Sequence, residues 1–210
     1  MSLSITLIII IITCLVSIPA FRDQQLKEKL LFWPYRIHHQ KEYHRFLTGG
    51  AVHADGMHLI FNMVSFYSFG LSLERFHYPS LFGSNSTWLY IFLYLGGLVL
   101  SVIPDFLKYK DVYGYRALGA SGAVSAVIFS AIAIEPTTSI YLFLLPIPIP
   151  GWLFGILFLI MSAYLAKRSA DNIGHNAHFW GSVFGLIFTL VSGWTIAHVD
   201  LISRFIAQVF

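Results

Sequence analysis

Six long apolar stretches place the strongest limit on what this 210-residue chain can fold into. A helix needs about 20 apolar residues to cross the hydrocarbon core of a bilayer, and each stretch approaches that length. Because lipid offers backbone N–H and C=O groups no hydrogen-bond partner, we expect these stretches to be helices. The sequence therefore predicts an all-α polytopic membrane protein, a single six-span bundle over residues 1–210. The stretches are 3–20, 57–76, 88–106, 117–134, 149–166 and 176–197.

The composition supports a membrane protein and excludes other classes. Hydrophobic residues make up 57% of the chain and charged residues 11%, whereas soluble domains carry about 25% charged residues. The formal charge is only +3, and no basic run is interleaved with stacking aromatics, so no nucleic-acid partner is expected. The single cysteine, Cys14, excludes a disulfide framework and a CxxC motif.

The segments that flank the spans carry their own information. Stretch 3–20 has the length of a signal peptide or of a spanning helix, and the absence of a preceding positive charge favours a retained helix. The long first loop, residues 21–56, contains FWPYRIHHQKEYHRF, whose mixed aromatic and basic residues are typical of a segment at the membrane surface. Prolines 146, 148 and 150 cannot lie inside a helix, so they mark the start of the fifth span.

The distribution of Lys and Arg predicts an orientation. Eleven of the 13 lie on the face of the membrane that carries loops one, three and five, and only Arg75 and Arg204 lie on the other. By the positive-inside rule, this distribution favours both termini outside the cytoplasm.

Polar residues inside the spans are the candidate functional residues, because a polar group in lipid is costly. In the second span, His58 and Asn62 are four positions apart and share one helical face. His53 lies beyond Gly56, outside that helix, and is expected to brace the loop. The packing alternative for the pair is an interhelical hydrogen bond.

The fourth and sixth spans begin with small and polar residues. The fourth opens with GASG at residues 119–122, which contains Ser121 between glycines, and close helix packing is the alternative explanation. In the sixth, His178 shares a face with Gly181 and Gly185. A structural histidine above a glycine groove is the alternative there.

Spans two, four and six all start from the same side of the membrane, so these polar residues share one depth. Ser121 and His178 then have the roles of nucleophile and general base. The Ser121 N–H, the Asn62 amide and the His58 ring are candidate oxyanion donors. Glu135 lies 14 residues beyond Ser121, about 21 Å along a helix, which is too far to orient the base. Asp171 is a possible third member, but a dyad is the preferred interpretation.

Three motifs in this order resemble those of the rhomboid intramembrane serine proteases. They are H-x4-H-x3-N at His53, His58 and Asn62, G-x-S-G at 119–122, and A-H-x2-G-x3-G at 177–185. The resemblance covers nearly the whole chain. It implies that Ser121 is the nucleophile and His178 the base, that His58 and Asn62 line the oxyanion site, that Gly119 and Gly122 shape the serine turn, and that His53 is structural.

The resemblance also implies an activity and a location. Family members cleave transmembrane segments of other membrane proteins and use no metal or cofactor, so the expected partners are transmembrane substrates and the lipid bilayer. The sequence indicates no oligomeric state. A bacterial inner (cell) membrane is expected, and most bacterial members have a cytoplasmic amino terminus, against the charge count above. The first loop would lie beside the site, the fifth span would be a side gate, and residues 167–173 would form a cap.

One departure from the family concerns Ser125. Many members carry an aromatic residue there, one turn below the nucleophile, which stacks on the catalytic histidine. The support of the His178 ring must therefore either come from elsewhere in this chain or be looser than in those members.

Two other functions compete with the protease interpretation. A catalytically inactive relative would bind membrane proteins without cutting them, yet both Ser121 and His178 are present. A transporter or channel would use buried histidines, but several of the nine histidines fall in predicted loops, and no carboxylate lies mid-span as in a proton relay.

Overall fold

Helices dominate the computed structural model, which describes residues 4–142, 145–168 and 174–210. The one sheet in those ranges is an antiparallel hairpin of β1 (Ser139–Leu142) and β2 (Leu145–Pro150). The six-helix prediction missed this hairpin. Proline has no N–H group, and the prolines of β2 occupy every second position. The residues between them keep the alternate N–H groups that a strand with a single neighbour uses.

The amino-terminal segment and the first loop fold into a series of separate helices. The loop was predicted as a polar surface segment, but it folds into short helices. In order, the elements are α1 (Ile5–Ala20), α2 (Gln24–Leu30), α3 (Pro34–Gln40), α4 (Arg45–Thr48) and a 3-10 turn at Gly49–Ala51.

A partly buried set of hydrogen bonds to Glu74 fixes the start of α1. The Glu74 carboxylate accepts hydrogen bonds from the backbone N–H groups of Ile5 and Thr6 and from the hydroxyls of Ser4 and Thr6. The first N–H groups of a helix have no partner within it. A negative charge at this end is also favourable, because the helix dipole is positive there. Glu74 thus joins α1 to the end of the second span.

The second and third predicted spans form a helical hairpin. Its elements are α5 (Gly56–Ser72), a wide π turn at Leu73–His77, α6 (Tyr78–Phe82), a 3-10 turn at Gly83–Asn85, α7 (Ser86–Leu100) and α8 (Ile103–Tyr109). The rings of Phe66 on α5 and Tyr94 on α7 lie 4.8 Å apart, and each of the two helices packs chiefly against the central helix of the molecule. The predicted span 88–106 is wrong in one respect: the helix breaks before Pro104, which supplies no N–H to continue it.

The centre of the molecule is α9 (Ser121–Ile134), in which every residue from Gly122 to Ala133 is buried. The helix begins four residues later than predicted, because Gly119 adopts a φ of +106° that a right-handed helix cannot contain. The remaining helices are α10 (Gly151–Arg168), α11 (His175–Thr195) and α12 (Leu201–Val209).

Glycines bring α11 into backbone contact with α9. A Cβ added to Gly181 would lie 2.1 Å from the Gly122 carbonyl oxygen, and one added to Gly185 would lie 2.1 Å from that of Ala126. The close approach that the small residues predicted is therefore present.

Several helices are apolar and long enough to cross a membrane. They are the run Gly56–Tyr109, which contains α5 and α7, then Gly151–Arg168 and His175–Thr195, whereas Ile5–Ala20 and Ser121–Ile134 are apolar but shorter. The chain is a multi-pass membrane protein. The count of six spans and the orientation remain predictions.

Candidate active site

Ser121 is the first residue of the central helix α9 and is partly exposed, unlike the twelve residues that follow it. The N–H groups of a first helical turn have no partner within the helix, and the helix dipole makes this end a favourable place for negative charge. The serine hydroxyl therefore lies next to backbone groups suited to an anion.

The first loop fixes the turn that precedes Ser121. Phe32 and Ala117 exchange two backbone hydrogen bonds, with the Phe32 N–H donating at 2.9 Å and the Ala117 N–H at 3.0 Å. The Gly119 N–H donates to the Gly49 carbonyl at 2.9 Å. Because these three bonds join Phe32 and Gly49 of the loop to Ala117 and Gly119 of the turn, the turn has little freedom to move independently of the loop.

His53 is fully buried and adds a side-chain tie to the same turn. Ser17 donates its hydroxyl proton to the Ala51 carbonyl at 2.7 Å, so it accepts from His53 Nδ1, 2.9 Å away. His53 Nε2 then accepts the Ala120 N–H at 3.4 Å. Burial lowers the pKa of His53 to about 3, which keeps the ring neutral as this bonding requires. Through these contacts His53 braces the turn before Ser121 against α1, whereas the sequence analysis expected it to brace the loop.

His58 and Asn62 lie one turn apart on α5, and the His58 ring contacts the serine turn. Asn62 is buried, and its Nδ2 donates to the His58 carbonyl at 2.9 Å. The His58 ring lies against Gly119, where an added Cβ would be 2.8 Å from Cε1 and 2.9 Å from Nε2. Glycine is thus required at position 119 for two reasons: the backbone has a positive φ, and the His58 ring occupies the space that a Cβ would need.

His178 lies in the first turn of α11, and its ring stacks on Phe158 of α10. The ring centroids are 5.9 Å apart with an interplanar angle of 30°. Phe158 is therefore an aromatic support for His178, in place of the one absent at Ser125. The sequence analysis missed Phe158, because it lies in an apolar stretch with other aromatics and its partner is 20 residues away.

The helices of Ser121 and His178 touch at the level of these residues. The contact joins Gly181, three residues after His178, to Gly122, which directly follows Ser121. A Cβ added to Gly181 would clash with the Gly122 carbonyl. An added Cβ on Gly122 would in turn lie 3.4 Å from the carbonyl oxygen of Ala177, the neighbour of His178. The structure thus brings together the first turns of both helices.

A buried carboxylate beside the site also escaped the sequence analysis. Asp105 of α8 accepts hydrogen bonds from the Tyr115 hydroxyl at 2.8 Å and from Asn176 Nδ2 at 2.5 Å. An acidic residue inside an apolar stretch, here 88–106, was the indication available in the sequence.

Two other carboxylates do not join the described site. Glu135 ends α9, at the opposite end of the helix from Ser121, as predicted. Asp171, considered as a third catalytic member, lies outside the described residues, as does most of the predicted cap 167–173.

A small cavity opens beside Ser121. Its lining includes Gly49, Ser101, Gly119 and Ser121, and its volume is about 30 Å³. Most of the lining is apolar, and a cavity of this volume has room for about one water molecule beside Ser101 and Ser121.

Comparison with known proteins identifies the family. The Rhomboid domain model matches residues 40–195. RHOMBOID-like protein 12, mitochondrial, of Arabidopsis thaliana is 30% identical over 155 residues, which cover 69% of this chain and 45% of that protein. Rhomboid protein 1, mitochondrial, of Saccharomyces cerevisiae is 32% identical over 148 residues, 69% of this chain and 39% of that protein.

A third relative is bacterial and is named as a protease. The rhomboid protease GlpG of Haemophilus influenzae is 28% identical over 162 residues, which cover 77% of this chain and 76% of that protein. The chain spans less than half the length of the two mitochondrial relatives. Because those two are mitochondrial by name, the comparisons do not support the bacterial cell membrane expected from the sequence. Its helices, its site and these matches agree, and the chain belongs to the rhomboid family of integral membrane proteins, which includes intramembrane serine proteases.

Proposed function

We propose that this protein is an intramembrane serine endopeptidase that uses a Ser121–His178 dyad to cleave transmembrane segments of other proteins. The observation that carries the proposal is the backbone contact of α9 with α11 at Gly122 and Gly181. Ser121 begins α9 and His178 lies in the first turn of α11, so this contact supports a close approach of the two side chains. A serine hydroxyl beside a neutral imidazole is the arrangement that acyl transfer needs.

The reaction follows from these roles. His178 takes the hydroxyl proton as Ser121 Oγ attacks the scissile carbonyl carbon, and the carbonyl oxygen becomes an oxyanion. The imidazolium then gives this proton to the leaving amine as the C–N bond breaks, which leaves an acyl ester on Ser121. A water molecule, for which the cavity beside Ser121 has room, loses a proton to His178 and attacks the ester. The imidazolium returns that proton to Oγ, and the dyad is restored.

Three groups are the candidate oxyanion donors in this proposal. The Ser121 N–H lies at the free end of α9. The His58 ring lies against Gly119, and the Asn62 amide is one turn below it on the same face of α5. Removing one such donor from an acyl-transfer enzyme lowers the rate about 100- to 1000-fold. The three donors come from two helices that the first loop fixes to each other through His53.

Packing supplies the orientation of the base in this proposal. Phe158 stacks on the imidazole, and α11 carries the ring against α9. Such support is compatible with a dyad, in which no carboxylate holds the imidazole.

The fifth span has the loose packing that a lateral gate requires. Within α10, only Gly151, Gly155 and Ser162 are buried, so few contacts oppose its displacement. The same helix carries Phe158, so its movement would also change the support of the base. A disulfide that joins α10 to α5 is expected to block cleavage of a membrane substrate, and its reduction to restore it. Unchanged cleavage in the cross-linked protein would exclude gating.

A cleavage assay tests the proposed function. The purified full chain and its Ser121→Ala variant are reconstituted with a transmembrane substrate whose fragments are followed by mass spectrometry. We expect cleavage by the natural sequence and none by the variant. Equal cleavage by both would exclude Ser121 as nucleophile. Binding without cleavage by both would instead identify a catalytically inactive relative.

A further inference from the structure

A cluster of two histidines and an aspartate lies outside the proposed catalytic site. His39 Nε2 is 3.1 Å from Asp111 Oδ1, and His38 Nε2 is 4.0 Å from the same oxygen. All three atoms lie within 4.8 Å of one another. Successive residues of a helix point about 100° apart, so the convergence of two adjacent imidazoles on one carboxylate oxygen requires Asp111 to lie between them.

We propose that His38, His39 and Asp111 bind a zinc ion. Zinc takes imidazole nitrogens at about 2.0–2.1 Å and carboxylate oxygens at about 2.0–2.2 Å, in tetrahedral geometry. Neighbouring ligand atoms in such a site are therefore about 3.4 Å apart. The separation of His39 from Asp111 is close to this value, and that of His38 exceeds it by less than about 1 Å. A water molecule would take the fourth position.

The chemistry of the ligands favours zinc and similar transition metals over magnesium and calcium. Imidazole is a good ligand for zinc, copper and nickel, whereas magnesium and calcium prefer sites made entirely of oxygen. The three side chains are between about 39% and 66% exposed, so an ion reaches them from solvent and they have room to close around it.

Aromatic neighbours orient both imidazoles before any ion binds. The His39 ring lies 4.4 Å from that of Tyr35, and the His38 ring packs edge-on against Phe106 at 6.4 Å. The two histidine rings are 4.8 Å apart. Restriction of the ligands in the unbound protein lowers the entropy cost of binding.

The site would join two separate segments of the chain. Its histidines lie on α3 in the first loop, and Asp111 lies between α8 and the turn that precedes Ser121. The Trp33 indole N–H already donates to the Tyr113 carbonyl at 2.9 Å, and Phe32 pairs with Ala117. Zinc would add a further connection between the same two segments and stabilise the native state. This inference does not depend on the proposed protease activity, and the ion would have no part in catalysis.

Zinc titration of the full-length protein tests the site. Tag-free protein in detergent micelles is treated with a chelator, then dialysed against micromolar zinc chloride. Bound zinc is measured by mass spectrometry, and thermal unfolding is followed in parallel. We expect an increase of several degrees in Tm with zinc, because an ion that binds only the native state stabilises it. The same concentration of magnesium is expected to leave Tm unchanged.

Matched variants locate the zinc within the chain. His39→Ala and Asp111→Asn are each expected to bind one zinc fewer per chain than the natural sequence and to lose the zinc-dependent rise in Tm. His44→Ala, which removes an exposed histidine of the same loop, is expected to keep both. Each side chain of the cluster is substantially exposed, so these variants should unfold at the natural temperature in chelator. Zinc binding by Asp111→Asn equal to that of the natural sequence, or no zinc binding by the natural sequence, would overturn the proposal.

Discussion

Asp105 accepts a hydrogen bond of 2.5 Å from Asn176, two residues before His178 in the chain. The other oxygen of the same carboxylate accepts the Tyr115 hydroxyl, six residues before Ser121. One buried side chain thus connects the segments that lead into both proposed catalytic residues. We therefore expect a substitution of Asp105 to change the position of Ser121 relative to His178.

Asp105→Ala is expected to reduce catalysis more than substrate binding. The substitution leaves the partly buried donors of Tyr115 and Asn176 without their acceptor, which costs at most about 1–3 kcal/mol, and it frees the start of α11 to shift. We expect kcat to fall about tenfold or more with little change in KM, in steady-state assays on a transmembrane substrate.

Two further variants separate positioning from general destabilisation. Asn176→Ala should reproduce much of the loss of kcat, and the Asp105→Ala, Asn176→Ala double variant should lose little more than Asp105→Ala alone, since that substitution already removes the hydrogen bond to Asn176. Asp200→Ala, at the exposed start of α12, should leave kcat unchanged. Independent, additive losses at Asp105 and Asn176 would contradict positioning through their hydrogen bond.

Gly181→Ala tests the contact of α11 with α9. The added methyl group would lie 2.1 Å from the Gly122 carbonyl oxygen, so the helices must separate. Overpacking of this kind costs about 1–3 kcal/mol or more, and it would move His178 away from Ser121. We expect a lower Tm and loss of most cleavage activity. Gly56→Ala is the control, because nothing lies within 4 Å of its added Cβ, and full activity of Gly181→Ala would contradict the proposed geometry.

Phe158→Ala removes the ring that stacks on His178. Aromatic pairs contribute about 0.5–1.5 kcal/mol beyond the area that they bury, which corresponds to about a 2- to 10-fold change in rate if the stacking is needed in the transition state. We expect kcat to fall within this range. Leu157→Ala, at an exposed neighbouring position of α10, controls for loss of an apolar group from that helix. Equal kcat values for the two variants would exclude Phe158 as the support of the base.

His53 predicts a loss of stability in acid. Its pKa is about 3 in the folded protein and about 6.5 in an unfolded chain, so the unfolded state binds more protons between these values. Stability must then fall as the pH drops below about 6.5, by at most about 1.4 kcal/mol per pH unit for this group. We expect Tm to decrease from pH 6.5 to pH 4.5, and the decrease to be smaller in His53→Asn. An identical pH dependence in both proteins would refute the assignment to His53.

The parts of the fold that follow from local pattern were predictable from the sequence. Apolar length indicated the helices, and a separation of four residues placed His58 and Asn62 on one face of α5. The break before Pro104 and the short helices of the first loop were not predicted, because composition alone does not locate helix ends within an apolar or amphipathic run.

The missed features of the site depend on tertiary contacts. Phe158 supports His178 only because α10 packs beside α11, and no pattern within the fifth span distinguishes it from Phe154. Asp105 was visible as an acidic residue at the end of an apolar stretch, but its partners Tyr115 and Asn176 are 10 and 71 positions away. The identity of such partners follows only from the three-dimensional arrangement.

Covalent labelling of the serine tests the central claim most directly. The purified protein is incubated with a fluorophosphonate, which reacts with an activated serine, and the modified residue is identified by mass spectrometry of peptides. The proposed dyad predicts one adduct on Ser121, and its loss in His178→Ala because the hydroxyl is not activated without its base. No adduct on the natural sequence, an adduct on another serine, or equal labelling of Ser121 in His178→Ala would contradict the dyad.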